Sequence, residues 1–232
     1  PNDDTFICIL KACGNFGAID KGKEIHEEIA TLGLLEKNIL LGTALVDMYV
    51  KCGMLVKAQQ VHDEVPLRNV VSWSALIAGY AQEEKGYEAL DCFEHMRNEG
   101  LSPNAITFVS ILKACASIND VEKGKQIHDE IVARGLLKEN VLLGTALVDM
   151  YAKCGALVNA QEALEELHIR DIVSWNALIS GYSQGKQSYE ALNCLERMQN
   201  EGLSPDVVTL TCALKACGNI GAVEKGLKIH EA

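Results

Sequence analysis

Positive charge is scarce in this chain. Its 21 lysines and arginines stand against 32 aspartates and glutamates, a formal net charge of −11 over 232 residues. That balance lacks the footprint of a protein that grips nucleic acid mainly through phosphates. Proline is rare too, with four residues, and no apolar run approaches the length that spans a membrane. With 48% hydrophobic residues, the composition predicts a foldable chain with ample core material, neither disordered nor membrane-spanning. No secretory signal or transit peptide is visible, and the opening on Pro1 without a methionine reads as an excised segment. The sequence also lacks a Gly-rich phosphate loop, an H-E-x-x-H pair and any C-x-x-C, so metal-assisted and phosphate-loop chemistry have no support. His26–Glu28 and His128–Glu130 each make an H-x-E, half of a zinc deaminase signature, but the P-C-x-x-C half is missing. No catalytic residue, metal or cofactor is expected.

Repetition is what the sequence has in abundance. "NILLGTALVDMYVKCG" at Asn38 returns as "NVLLGTALVDMYAKCG" at Asn140, 102 residues later. A shift of 102 matches about three positions in five over the first copy, without gaps. The nine cysteines follow the same interval: Cys13, Cys115 and Cys217; Cys52 and Cys154; Cys92 and Cys194. Cys8 and Cys212 share a further equivalent place, where the middle copy has Ser110. Cysteine recurring once per unit on an apolar helical face reads as a small buried hydrophobe, in a reducing compartment. His26, His128 and His230 recur likewise, as do Trp73 and Trp175. An active site seldom needs three spaced copies, so these histidines read as packing or surface groups and the tryptophans as core anchors.

Inside each 102 lie three shorter units: 3–38, 39–69 and 70–104, then 105–140, 141–171 and 172–206, with 207–232 truncated. Each reads as two amphipathic helices. Trp73, Leu76, Ile77 and Tyr80 follow i, i+3, i+4, i+7 spacing, and Ala89, Phe93 and Met96 share one side of the next helix. Gly100 supplies a helix stop and Pro103 blocks continuation. Phe108, Ile111, Leu112 and Cys115, then Ile127 and Ile131, repeat the logic, as do Leu41, Leu45, Met48 and Cys52. No segment alternates like a strand. One hairpin cannot bury its apolar face alone, but stacked neighbours can. The expected fold is all-α, an α-solenoid of tandem helix-turn-helix hairpins in a single array.

These units resemble the pentatricopeptide repeat family, specifically its plant PLS subclass. The resemblance rests on "VVSWSALIAGYAQ…EALDCFEHMRNEGLSPN" and its copy at Ile172 (P units), "FVSILKACASINDVEKGKQIHDEI" (L units) and "GTALVDMYAKCGALVNAQ" (S units). It also rests on the cycle of 36, 31 and 35 residues, where tetratricopeptide repeats keep about 34 throughout. The resemblance covers the whole chain. It implies a right-handed superhelix binding single-stranded RNA, about one base per repeat, in a mitochondrion or chloroplast. In that family the first helix of each hairpin lines the groove. Its fifth residue and the unit's last residue select the base, and its second residue packs on the base faces.

Carried over, the selecting pairs are Thr43 with Asn69, Ser74 with Asn104, Thr145 with Asp171, and Asn176 with Asp206. A terminal Asp only accepts hydrogen bonds, which suits the imino N–H of guanine or uracil. A terminal Asn can donate to the bare ring nitrogen of adenine or cytosine. Together with the family code, the pairs predict 5′-A-A-N-G-U-3′, with N facing Val109 and Asn140. Ile7 with Asn38, and Val109 with Asn140, are weak or non-reading, and Thr211 lacks its partner residue. Leu40, Val71, Ile106, Leu142, Val173 and Val208 hold the second position, with Asp4 the exception. Such branched aliphatics either clamp a base or form inter-repeat core.

Acidic side chains such as Glu24, Glu27, Glu28, Glu162, Glu165 and Glu166 fall on second helices, away from the expected groove. Lys51 and Lys153 end first helices and are candidates to meet phosphates, or else simply complement the helix dipole. Lys11, Lys113 and Lys215 recur on first helices as well. The main alternative to RNA binding is a protein-binding scaffold that docks an editing-factor accessory protein through its L units. Oligomeric state is not legible.

Overall fold

The computed structural model describes residues 2–66, 68–138 and 140–231. Pro1 and Ala232, the first and last residues of the array read from the sequence, lie outside the described residues, as do Leu67 and Glu139. The chain is all-α, with no strand among the described residues. Its helices are α1 (Asp3–Phe16), α2 (Ile19–Thr31), α3 (Ile39–Lys51), α4 (Leu55–Glu64), α5 (Val70–Gln82), α6 (Gly86–Asn98) and α7 (Ala105–Ser117). They continue as α8 (Val121–Ala133), α9 (Val141–Lys153), α10 (Leu157–Glu166), α11 (Ile172–Gln184), α12 (Ser188–Asn200), α13 (Val207–Ile220) and α14 (Val223–Glu231). No helix among the described residues is long and apolar enough to cross a membrane.

Two compact units divide within α7, one from Pro1 to Ala114 and one from Cys115 to Ala232. In the first, α1–α2, α3–α4 and α5–α6 pair as hairpins, and α3 packs against both α1 and α5. Phe6, Leu10, Ile29, Leu41, Leu45, Met48, Leu76, Phe93 and Met96 are sealed between them. In the second, α9–α10, α11–α12 and α13–α14 pair, and α11 packs against both α9 and α13. Leu143, Leu147, Met150, Trp175, Leu178, Ile179 and Met198 are buried there. Each sealed side chain of this size contributes about 1.5–3 kcal/mol, and it is sealed only because another hairpin lies against it. Each unit is thus a stretch of α-solenoid.

Local chemistry sets the helix ends. The first helices start at an Asn or Asp whose side chain accepts a backbone N–H of the first turn: Asn2 from Thr5, Asn69 from Ser72, Asp171 from Ser174 and Asp206 from Thr209. Hairpin turns use a residue at positive φ, such as Gly53 at 72° and Gly155 at 71°, to close the preceding helix. Gly100, the expected helix stop, sits at φ 76° with its N–H on the Arg97 carbonyl. Close helix approach explains another glycine of the repeated "GTALVDMY". A Cβ on Gly42 would lie 2.7 Å from Val65 Cγ2.

The buried tryptophans anchor the core, as expected, and each is part of a tie that the sequence did not reveal. Trp73 Nε1 donates to Glu99 at 2.8 Å, and Glu99 also takes Arg68. Arg68 Nε reaches back to the His62 carbonyl at 3.1 Å, capping the end of α4. The second unit repeats this with Trp175, Glu201, Arg170 and the Leu164 carbonyl, at 3.1, 2.7 and 2.9 Å. Burial opposes ionisation of Glu99, but the indole and guanidinium hold its carboxyl below the ordinary value. Cys13, Cys92, Cys115, Cys194 and Cys217 are buried as expected, with Cys52, Cys154 and Cys212 half-buried. Cys8 is exposed instead. The backbone at Cys212 meets Ser183 of the preceding first helix, whereas α1 has no described helix before it.

Candidate nucleic-acid interface

Along α3, Leu40, Thr43, Ala44, Asp47 and Lys51 are spaced by three or four residues and share one helix face. In the first unit Leu40, Thr43, Ala44 and Asp47 of this face, with Ile7 and Lys11 of α1 and Asn69, Val71 and Ala75 at the next hairpin, line a recess of about 380 Å³. In the second unit Leu142, Thr145, Asp149, Val173, Asn176, Asp206 and Val208 line one of about 510 Å³. Both fall in the size range of ligand sites, about 300–1,000 Å³.

The second-position aliphatics are not core. Leu40, Val71, Ile106, Leu142, Val173 and Val208 are each between 52% and 65% exposed. Leu40 and Val71 rim the first recess, and Leu142, Val173 and Val208 rim the second. Repeated exposed aliphatics at one helical position form an apolar surface that the fold itself leaves uncovered. Asp4, the exception, is exposed as well.

Three of the four pairs expected to select a base are hydrogen-bonded within the pair, and Ser74, Thr145 and Asn176 are buried, at 5%, 8% and 9% exposure. Asn69 Oδ1 is used by the Ser72 N–H at 2.8 Å, while Asn69 Nδ2 donates to Thr43 Oγ1 at 3.1 Å. Thr43 therefore accepts, and sends its own proton to the Ile39 carbonyl at 2.9 Å. Asp171 Oδ1 accepts the Ser174 N–H at 2.8 Å and is approached by Thr145 Oγ1 at 3.4 Å, a weak bond. Asn176 Nδ2 lies 3.0 Å from each carboxylate oxygen of Asp206. The Thr209 backbone N–H, and then the Asn176 amide, hold the Asp206 carboxyl below the usual carboxylate range despite some desolvation. Ser74 and Asn104 do not touch directly. Ser74 Oγ meets Thr107 Oγ1 at 2.7 Å, and Thr107 bonds Asn104 Oδ1 at 3.0 Å.

One regularity runs through these pairs. The last residue of each unit is also the cap of the next helix, so one side-chain oxygen is already spent on the backbone. Asn and Asp cap about equally well. What differs is the atom left over: an NH₂ donor on Asn69 and Asn104, a carboxylate acceptor on Asp171 and Asp206. An Asn or Asp directly before an amphipathic run is a recognisable helix-start signal, and it is the one that would have revealed this double duty.

The remaining positions are otherwise engaged. Asn38 caps α3 through the Leu40 N–H at 2.9 Å, and its amide donates to Asp3 at 2.6 Å. Ile7 is half-buried in the first recess. Val109 is half-buried, and Asn140 caps α9 through the Leu143 N–H at 3.0 Å. Thr211 is exposed, its hydroxyl turned to the Val207 carbonyl at 2.6 Å. Lys51 and Lys153 reach exposed helix ends, but each is paired with an aspartate one turn earlier, Asp47 at 2.8 Å and Asp149 at 2.7 Å. The glutamates at 24, 27, 28, 162, 165 and 166 are exposed on second helices. His26 and His128 pack edge-on to Tyr49 and Tyr151 and bond their hydroxyls at 2.9 and 3.1 Å.

Comparison with known proteins gives consistent matches. The PPR repeat family profile matches residues 68–117 and 170–219, and the related PPR repeat profile matches 43–70 and 106–136. The pentatricopeptide repeat-containing protein CRR2, chloroplastic, of Arabidopsis thaliana is 42% identical over 234 residues, covering 98% of this chain and 35% of that protein. The pentatricopeptide repeat-containing protein At3g09040, mitochondrial, of the same plant is 37% identical over 222 residues, covering 96% and 21%. Among solved structures, maize PPR10 superposes with a TM-score of 0.79 at 20% identity, over 100% of this chain and 33% of that one. PPR10 in complex with an 18-nt psaJ RNA element gives 0.76, over 99% and 34%. The chain spans about a third of the length of the first curated relatives it matches.

Proposed function

Because the chain belongs to the pentatricopeptide repeat family, we propose that it is a non-catalytic, PLS-type module that binds single-stranded RNA with the preference 5′-A-A-N-G-U-3′. The solved complex of PPR10 with an RNA element supports the ligand class. The observation that carries the base preference is the atom each cap leaves over. At 69 and 104 it is a donor, matched to the bare N1 of adenine; at 171 and 206 it is an acceptor, matched to the N–H of guanine or uracil. The exposed aliphatics beside these heads supply apolar faces for the flat sides of the bases.

Chloroplast or mitochondrion is the proposed location, as in the names of the relatives. The whole protein would belong to organellar RNA processing or editing, with this segment supplying the address. L units would contribute protein contact more than base readout. Ile7 and Val109 bring no hydrogen-bonding group to the fifth position, which favours an accessory-protein partner there as a second reading. Asp171→Asn tests the base assignment while preserving the cap. Titrated by fluorescence anisotropy, the variant should shift the fourth preference from G toward A by about tenfold in relative affinity. Unchanged binding to both RNAs refutes the assignment.

A further inference from the structure

Two fully buried threonines stand behind two of the selecting pairs. Thr107 and Thr209 are the third residues of α7 and α13 and have no exposed surface, so neither can touch RNA. Thr209 Oγ1 lies 2.5 Å from Asn176 Oδ1 and 2.9 Å from Asp206 Oδ1, both acceptors; its one proton goes to the nearer, and it accepts the Asp206 backbone N–H at 3.1 Å. Its backbone N–H bonds Asp206 Oδ1 at 2.9 Å. The Asn176 amide is thereby held from two sides, oxygen toward Thr209 and nitrogen toward the Asp206 carboxylate. In the first unit the partner at the fifth position is a hydroxyl, and the bond direction reverses. Either hydroxyl can donate across the 2.7 Å between Ser74 Oγ and Thr107 Oγ1; with the Thr107 proton on Asn104 Oδ1, 3.0 Å away and only an acceptor, Ser74 is the donor. Ser74 then has only a lone pair left to offer.

We propose that Thr107 and Thr209 are positioning residues whose hydroxyls set the hydrogen-bonding polarity that Ser74 and Asn176 turn to a base. The inference rests on the base-reading proposal above. With Thr209 in place, Asn176 offers N–H beside the Asp206 carboxylate, a donor–acceptor edge that fits the O4 and N3–H of uracil. The same edge opposes the N3 of cytosine. Without the hydroxyl, Asn176 Oδ1 is a buried acceptor with no donor. The amide, held then by Asp206 alone, turns more freely and no longer keeps its N–H fixed toward the base. The third-position serines are different in kind. Ser72 and Ser174 spend their hydroxyls on the cap carbonyls, at 3.0 and 2.8 Å, and Thr43 and Thr145 reach the caps without them.

The test compares the full chain with Thr209→Val, Thr209→Ser and Ser174→Ala on 5′-AAAGU-3′ and 5′-AAAGC-3′. Wild type and Thr209→Ser should prefer U over C by about tenfold, the scale of one mispaired polar group. Thr209→Val should keep only part of that preference, about threefold, because the Asp206 carboxylate remains. Ser174→Ala loses a capping bond and should lower both affinities in proportion, leaving the ratio intact. A Thr209→Val chain that keeps the wild-type ratio overturns the proposal. A second readout needs no RNA: the Asn176 side-chain amide signals in ¹H–¹⁵N spectra of the free chain. They should move and exchange faster with water in Thr209→Val, and return in Thr209→Ser. If they do not move, the proposal fails whatever the RNA result. If wild type itself ignores U against C while the amide responds, the base assignment falls and the positioning role stands.

Discussion

Replacing His62 by leucine should stabilise the first unit, and the chain carries its own control. His62 is 1% exposed, and neither ring nitrogen has a hydrogen-bond partner. Asp63 Oδ1 is 3.8 Å from Nδ1, too far for a bond. The equivalent residue 102 positions later is Leu164, fully buried, and its carbonyl takes Arg170 as that of His62 takes Arg68. His62→Leu therefore keeps the backbone tie and removes an N–H buried without an acceptor, worth about 1–3 kcal/mol. It forfeits the edge-on contact with Trp73, whose ring centroid is 4.1 Å away, worth about 0.5–1.5 kcal/mol. The net expectation is a gain of about 1 kcal/mol at pH 7.5.

The pH dependence has a definite sign. Burial, and then the Arg68 charge, lower the His62 pKa, while Asp63 and Glu99 oppose this without overcoming it. Below about pH 6.5, the ordinary histidine value, the unfolded chain binds a proton that the folded chain resists. Wild type thus loses stability as the pH falls from about 6.5 through the folded-state pKa, and His62→Leu does not. Urea denaturation at pH 7.5 and 5.5, followed by circular dichroism, should show the variant's advantage growing on acidification. His26 also has a lowered pKa, first from burial and then from Lys57, but it is common to both chains and cancels. A less stable variant at pH 7.5, or an advantage independent of pH, refutes the reasoning.

Two further outcomes follow from the interface. Because Lys51 and Lys153 are paired with Asp47 and Asp149, RNA affinity should depend only shallowly on salt. The double variant Asp47→Ala, Asp149→Ala frees both lysines and should steepen the log–log salt slope by about 1.4, at roughly 0.7 per phosphate contact on a single strand. A steep wild-type slope would overturn this division of charge, and a slope that the double variant leaves alone would show that these lysines do not meet phosphates. Val173 is 55% exposed, so Val173→Ser should change folding stability by less than about 0.5 kcal/mol. The same substitution should weaken RNA binding by about three- to tenfold through lost apolar contact. Equal RNA affinity would remove the clamp from the reading.

Helices, hairpins and their tandem arrangement were legible in the residues, because helical periodicity is local. Trp73, Leu76 and Ile77, or Phe93 and Met96, show their common face within two turns of chain, and all are buried. Repetition at 102 residues did the rest, since no single hairpin can seal such faces alone. The sequence also picked out the residues that line the recesses, Thr43, Asn69, Asn176 and Asp206 among them. It left open whether Leu40 and its equivalents were core or surface. An apolar residue at the second helical position satisfies either pattern, and only the path of the neighbouring helices leaves it exposed. Tertiary structure alone decided how the fifth-position heads are engaged. That depends on bonds spanning 26 to 33 residues, such as Asn69 to Thr43 and Thr209 to Asn176. The same long-range packing sealed His62 without a partner and tied Arg68 to Glu99. Periodicity assigns a side chain to a face; a hydroxyl or amide takes its direction from whatever the fold places opposite it.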